Sequence, residues 1–277
     1  MQERTRKIVF GISITIVIAG ILFILGYFIK QQDREKNYDD LRSEVIEEFI
    51  TEETEIKEQE TEEAEPVVIP IDFNALWDQN PDIYAWITIP GTNIEYPILQ
   101  HPSDDEYYLN HTVDKKSGLP GSIYTEGTHN KKDFSDRNTL IYGHNMKDLS
   151  MFGKLKYYND QKGYYEDHQY FQLLYNGMVY RYQIFSYFTI HQNEVSYINT
   201  NFEKGDDRYG EFLQKLVKNS KKDTGVEVDA NDKTVTLVTC SPDNKYRLIV
   251  SAVLVDQHTM ANADGTFPDE PGTDEPG

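Results

Sequence analysis

The stretch YFQLLYNGMVYRYQIFSYFTI, Tyr170 to Ile190, reads as two β-strands joined by a tight turn. Its arms, Tyr170–Tyr175 and Met178–Ile190, alternate around Asn176-Gly177. An Asn-Gly pair tolerates positive φ at both central positions, as a type I′ turn requires, and that turn matches the twist of paired strands. The second arm is long enough to bend between sheet layers. A hairpin of this length cannot stand alone, so the remaining chain must supply partner strands.

Those partners are legible on both sides. Upstream, Ile83–Ile89 reads as a strand closed by Pro90-Gly91, Ile94–Leu99 as a second extended piece, and Ser122–Thr125 and Asn138–Gly143 as two more. Downstream, Thr234–Thr239 and Tyr246–Val255 complete the set. Helical pieces are short: Phe73–Trp77 before a turn at Asn80-Pro81, one or two turns within DLSMFGKLKYYND (148–160), and Asp207–Val217. In the last of these, Tyr209, Phe212, Leu213 and Leu216 share one face. Residues 101–127 are mostly connecting chain, with a turn at Gly118-Leu119-Pro120-Gly121. Seven or eight short strands with few helical crossovers predict a mainly β domain, and barrel closure would protect its edges. The 20 tyrosines suit such strands, packing a ring while keeping a polar tip wet.

Outside this domain the composition changes. The run Ile8–Ile29 carries no charge and, at about 1.5 Å per residue, is long enough as a helix to cross a hydrocarbon core of roughly 30 Å. A cleaved signal peptide and a buried soluble helix are the competing readings, but no small-residue cleavage site follows the run. Arg4, Arg6 and Lys7 precede it and acidic chain follows, which predicts a cytoplasmic N-terminus and an extracytoplasmic remainder. The expected order is therefore a cytoplasmic segment 1–7, a transmembrane signal anchor 8–29, an acidic stalk 30–65, a catalytic domain 66–257 and a disordered acidic tail 258–277. Within the stalk, Leu41, Val45, Ile46 and Phe49 can mark one side of a short helix, whereas Thr51–Pro66 is mostly glutamate and threonine and has little to bury. The lipid bilayer is the partner expected for 8–29, in a single-pass arrangement in the cell membrane.

The formal net charge of −20 argues against nucleic acid as a partner of the whole chain. No internal repeat, phosphate-binding glycine loop or dinucleotide fingerprint is present. The single cysteine, Cys240, excludes an internal disulfide and a multi-cysteine metal site. An isolated cysteine is commonly a small buried hydrophobe, yet outside the cytoplasm an unpaired thiol is exposed to oxidation. Cys240 closes the alternating run KTVTLVTC, SPDNKY reads as a loop, and Arg247 opens the next strand. A hairpin there would bring Cys240 and Arg247 side by side, where a permanently charged guanidinium favours a thiolate and can bond an oxyanion. Of the seven histidines, His144 stands at a strand end, after TLIYG, where a rigid scaffold can place an imidazole for proton transfer. Taken singly, Arg247 also fits an exposed strand face and His144 an ordinary loop.

Together, LIYGHNM (Leu140–Met146), TLVTC (Thr236–Cys240) and Arg247 resemble the catalytic motifs of the sortase family. The likeness covers about Ile69–Gln257, and YPILQ, EYYLNH, GSIY and YGHNM make it most similar to class B. The resemblance implies an eight-stranded sortase-type β-barrel with short connecting helices. It also implies cleavage of the C-terminal sorting signal of secreted surface proteins, a thioester at Cys240, and acyl transfer to a peptidoglycan amine. Cys240 would be the nucleophile, His144 the general acid/base and Arg247 the oxyanion or substrate stabiliser. Tyr142, Val238 and Thr239 match positions near the class B substrate groove, as do Leu109, Tyr197 and Ile198, with packing an equal reading for each. No metal or organic cofactor is implied, and a Gram-positive-type envelope is the expected setting. Alternatives are pilus assembly onto a pilin lysine, a hydrolytic cysteine protease using the same thiol, and a noncatalytic surface binding module in which Cys240 only packs.

Overall fold

The computed structural model describes residues 15–26, 29, 36–42, 67–68, 71–194, 202–240 and 245–261. The chain divides into two compact units, Met1–Arg42 and Ser43–Gly277. In the first, residues 15–26 and 36–42 are helical. Among the described residues no helix is long and apolar enough to cross a membrane. Much of the expected span 8–29 and most of the expected stalk lie outside the described residues, as do Val45, Ile46 and Phe49 and residues 262–277 of the expected tail.

The second unit carries the barrel. Its described strands are β1 (Val67–Val68), β2 (Ile83–Thr88), β3 (Glu95–Leu99), β4 (Ile123–Tyr124), β5 (Asn138–Tyr142), β6 (Tyr170–Tyr175), β7 (Met178–His191), β8 (Thr234–Cys240) and β9 (Tyr246–Ala261). Hydrogen bonding runs β9-β7-β6-β2-β3-β4-β5-β8 and returns from β8 to β9, closing eight strands into a ring. The two-residue β1 is added in parallel outside the ring, on the end of β9. The barrel is mixed: β3–β4 and β5–β8 are parallel, and the other ring pairs are antiparallel. This is the eight-stranded architecture expected from the sequence.

The hairpin that signalled the fold forms as read. Asn176 has φ 47° and Gly177 φ 67°, and Tyr175 pairs with Met178. Beyond β6, β7 continues along β9, where register irregularities between Arg181 and Tyr182 and between Ile184 and Ser186 let the long strand bend. One expectation falls short. β9 continues past Val255 and Gln257 to Ala261, because Met178–Arg181 of β7 offer bonds to Asp256–Thr259. Backbone pairing thus holds a polar segment whose composition resembles a tail.

Two helices matter for the site. α1 (Phe73–Gln79) is capped by Asp72, whose side chain accepts from Ala75 N–H at 3.0 Å, and Asn80 N–H ends it on the Leu76 carbonyl. α2 (Asp207–Asn219) is capped by Asp206, which accepts from Arg208 N–H. It buries Tyr209, Phe212, Leu213 and Leu216 in a cluster with Leu140, Phe185, Phe188, Val238 and Ile249. Burial at this level stabilises by about 1.5–3 kcal/mol per large side chain, so α2 and the β5–β8–β9 sheet hold one another in place.

Candidate active site

The site is built where β5, β8 and β9 meet. β8 and β9 are antiparallel neighbours with Thr239 opposite Leu248 and Cys240 opposite Arg247. The connecting residues 241–244 lie outside the described residues. Arg247 is also paired with Ile190 of β7, so β9 is held on both sides at that position. Arg247 as a whole is half-buried, and its Nη1 donates to the Tyr246 carbonyl at 3.3 Å.

β5 reaches the same end in parallel with β8, with Tyr142 opposite Val238. Register here is specified by a buried polar side chain. Asn138 Oδ1 accepts from the hydroxyls of Thr234 and Thr236, each at 3.0 Å. A slip along β8 would break both bonds and turn the apolar face outward. One further bond, Gly143 N–H to the Val238 carbonyl at 3.1 Å, extends the β5–β8 pairing past Tyr142. His144 therefore leaves the sheet two residues beyond Tyr142, at the end where Cys240 stands two residues beyond Val238.

Gly143 is required by space. A Cβ there would lie 2.5 Å from Ile123 Cδ1 and 2.7 Å from Phe152 Cδ2. The chain after His144 folds back on it, with Phe152 N–H donating to the His144 carbonyl at 2.9 Å. The imidazole Nε2 lies 2.6 Å from the Leu109 carbonyl. A carbonyl only accepts, so Nε2 carries the proton and Nδ1 is the basic nitrogen.

Tyr142 is half-buried and stacks on Tyr124, with ring centroids 5.5 Å apart. Burial, reinforced by the charge of Glu126, pushes its phenol well above the ordinary tyrosine range, against the opposing charge of Arg247. Tyr142 therefore stays neutral. Glu126 also meets His129 Nδ1 at 2.7 Å. The sequence reading did not single out Glu126 or Gly143; the only signal for the latter was its place between a strand end and a histidine.

The remaining expected groove residues divide. Val238 is buried in the cluster under α2, so its side chain packs and offers no surface. Thr239 is also buried, and its Oγ1 finds no hydrogen-bond partner among the described residues. Leu109 is exposed and meets His144 through its main chain. Tyr197 and Ile198 lie outside the described residues.

Comparison with known proteins agrees with this arrangement. Residues 87–255 match the sortase domain family. Sortase B of Listeria monocytogenes is 31% identical over 253 residues, 88% of this chain and 96% of the relative. The crystal structure of Clostridium perfringens sortase B superposes with a TM-score of 0.62 at 30% identity, covering 67% of this chain and all of that one. A Staphylococcus aureus sortase B–substrate complex gives 0.60 at 30% identity, covering 66% and 84%. The chain belongs to the sortase family, whose members are cysteine transpeptidases. Within the family the relatives it matches are sortases B, and the chain is a cysteine transpeptidase that transfers a substrate bearing a C-terminal sorting signal to peptidoglycan.

Proposed function

We propose that Cys240, His144 and Arg247 carry the transpeptidation, and that a membrane anchor at 8–29 presents the barrel on the outer face of the membrane. The observation that supports the catalytic assignment best is the cross-strand pair Cys240–Arg247, with His144 leaving β5 at the same end of the sheet.

In the first half-reaction the Cys240 thiolate attacks the carbonyl carbon of the scissile peptide bond. The C–S bond forms as the carbonyl π pair moves to oxygen, and Arg247 stabilises the oxyanion. When the oxyanion collapses, the C–N bond breaks and the leaving amine takes a proton from protonated His144. A thioester remains on Cys240. In the second half an incoming peptidoglycan amine gives its proton to neutral His144 and attacks the thioester, and the C–S bond breaks to return the thiolate. Tyr142 stands beside this end of the sheet as a neutral side chain, stacked on Tyr124.

The anchoring proposal rests on the uncharged run Ile8–Ile29, the preceding Arg4, Arg6 and Lys7, and the acidic chain beyond it. Part of that run, residues 15–26, is helical. Carbonate extraction of membranes carrying the full chain should leave it in the pellet, and release into the supernatant would contradict the anchor.

The activity is tested with the full chain, sorting-signal peptides and short amine acceptors. Joined product should exceed hydrolysed product, and both should vanish in Cys240→Ala. Hydrolysis alone, undiminished by any acceptor, would indicate a protease instead.

A further inference from the structure

We infer that the main-chain carbonyl of Leu109 is the orienting partner of His144. It holds the imidazole with its proton on Nε2 and presents Nδ1 to the reacting groups. This rests on the reading of His144 as the proton carrier, and assigns the orienting role to a backbone oxygen instead of a carboxylate.

The contact is short, 2.6 Å, and its polarity is fixed because the oxygen can only accept. When the ring gains a second proton on Nδ1, the Nε2–H bond remains and becomes charge-assisted. The same contact therefore serves both protonation states that the two half-reactions require.

An orienting group must itself be held in place, and this one is braced by packing and hydrogen bonds. Leu109 ends a 3₁₀ turn, Tyr107–Leu109. Below it, Tyr108 is buried and donates its hydroxyl proton to Asp82 Oδ2 at 2.6 Å while accepting from Asn80 Nδ2 at 3.0 Å. The Tyr108 carbonyl accepts from Ser122 N–H at 3.0 Å. Tyr107 is sandwiched between His101 and His111, with centroids 4.2 and 3.9 Å away. Gly121 closes the arrangement. It has φ +68°, and a Cβ there would lie 2.6 Å from the Leu109 oxygen and 2.9 Å from the Tyr108 oxygen. A side chain at 121 would drive the carbonyl out of position.

The test is ¹⁵N NMR of the full chain with labelled histidine, His144 being assigned by the signal missing from His144→Asn. The expected neutral ring has a protonated, pyrrole-type Nε2 and a pyridine-type Nδ1. A ring protonated on Nδ1, or one averaging between tautomers, overturns the inference. Gly121→Ala is expected to average the tautomers and lower kcat roughly 10- to 100-fold with little change in KM. Averaging with unchanged kcat also overturns it. Should Gly121→Ala not fold, the spectrum of the unaltered protein decides alone. Transpeptidation by a protein whose ring is protonated on Nδ1 rejects the orienting role and spares the catalytic reading. The Nε2–H tautomer in a protein that forms no joined product rejects the catalytic reading and spares the geometry.

Discussion

Cys240 and Arg247 are direct partners across the antiparallel β8–β9 ladder. The pairing sets the last residue of β8 opposite the second residue of β9, so a thiol and a permanent positive charge share one row of the sheet. Six further pairs, from Thr234–Val253 to Thr239–Leu248, continue that register down the barrel.

Arg247→Ala should therefore lower kcat by roughly 100- to 1,000-fold, the usual loss for one oxyanion donor. Arg247→Lys should recover little, since an ammonium on a flexible stem lacks the planar fork. Steady-state kinetics of peptide joining would check both, and full activity of the lysine variant would refute the geometric argument.

Gly143→Ala puts a methyl group 2.5 Å from Ile123 Cδ1 and 2.7 Å from Phe152 Cδ2. Overpacking of this kind costs about 1–3 kcal/mol. Because His144 follows immediately, thioester formation should slow as well. Chemical denaturation and single-turnover kinetics measure the two effects separately.

Asn138→Ala removes the acceptor of two buried threonine hydroxyls and with it the lock on the β5–β8 register. Thr234 keeps its bonds with Tyr209 and Arg137 and Thr236 its bond with Ser251, so the expected loss is that of the two bonds to Asn138, about 0.5–1.5 kcal/mol each. The readout is the denaturant midpoint, and a variant as stable as the parent would show that packing under α2 fixes the register unaided.

Acid should act through Asp82. Burial works to raise its carboxyl, but the hydrogen bonds from Tyr108 and Lys115 and the Lys115 charge outweigh it and hold the group below its ordinary 3.8. A carboxyl lowered by folding contributes stability that is full above its unfolded value and is lost as pH falls through the folded one. Unfolding free energy measured from pH 6 downward should thus decline below about pH 4 in the parent and less steeply in Asp82→Asn. Equal slopes would remove Asp82 from the account.

The sequence carried the hairpin, most strand positions and the Cys240–Arg247 relation because each is local. An Asn-Gly turn, a period-2 run and a short loop state their own geometry. What lay beyond reach was set by distant chain. Nothing near His144 announces that its ring meets the carbonyl of Leu109, or that Asn138 reads Thr234 and Thr236 across a parallel pair. Val238 illustrates the same limit. Alternation placed it on one face of β8, but only the packing of α2 shows that this part of the face is core. The end of β9 was misread for a related reason, since Asp256–Ala261 are strand only by virtue of β7 and β1 beside them.

The most direct measurement is the intact mass of the full chain incubated with a sorting-signal peptide and no acceptor amine. The expected result is a mass increase equal to the N-terminal peptide fragment less one water, mapped to Cys240, released by hydroxylamine and absent from Cys240→Ala. An adduct on another residue, or joining of peptide to amine by Cys240→Ala, would contradict it.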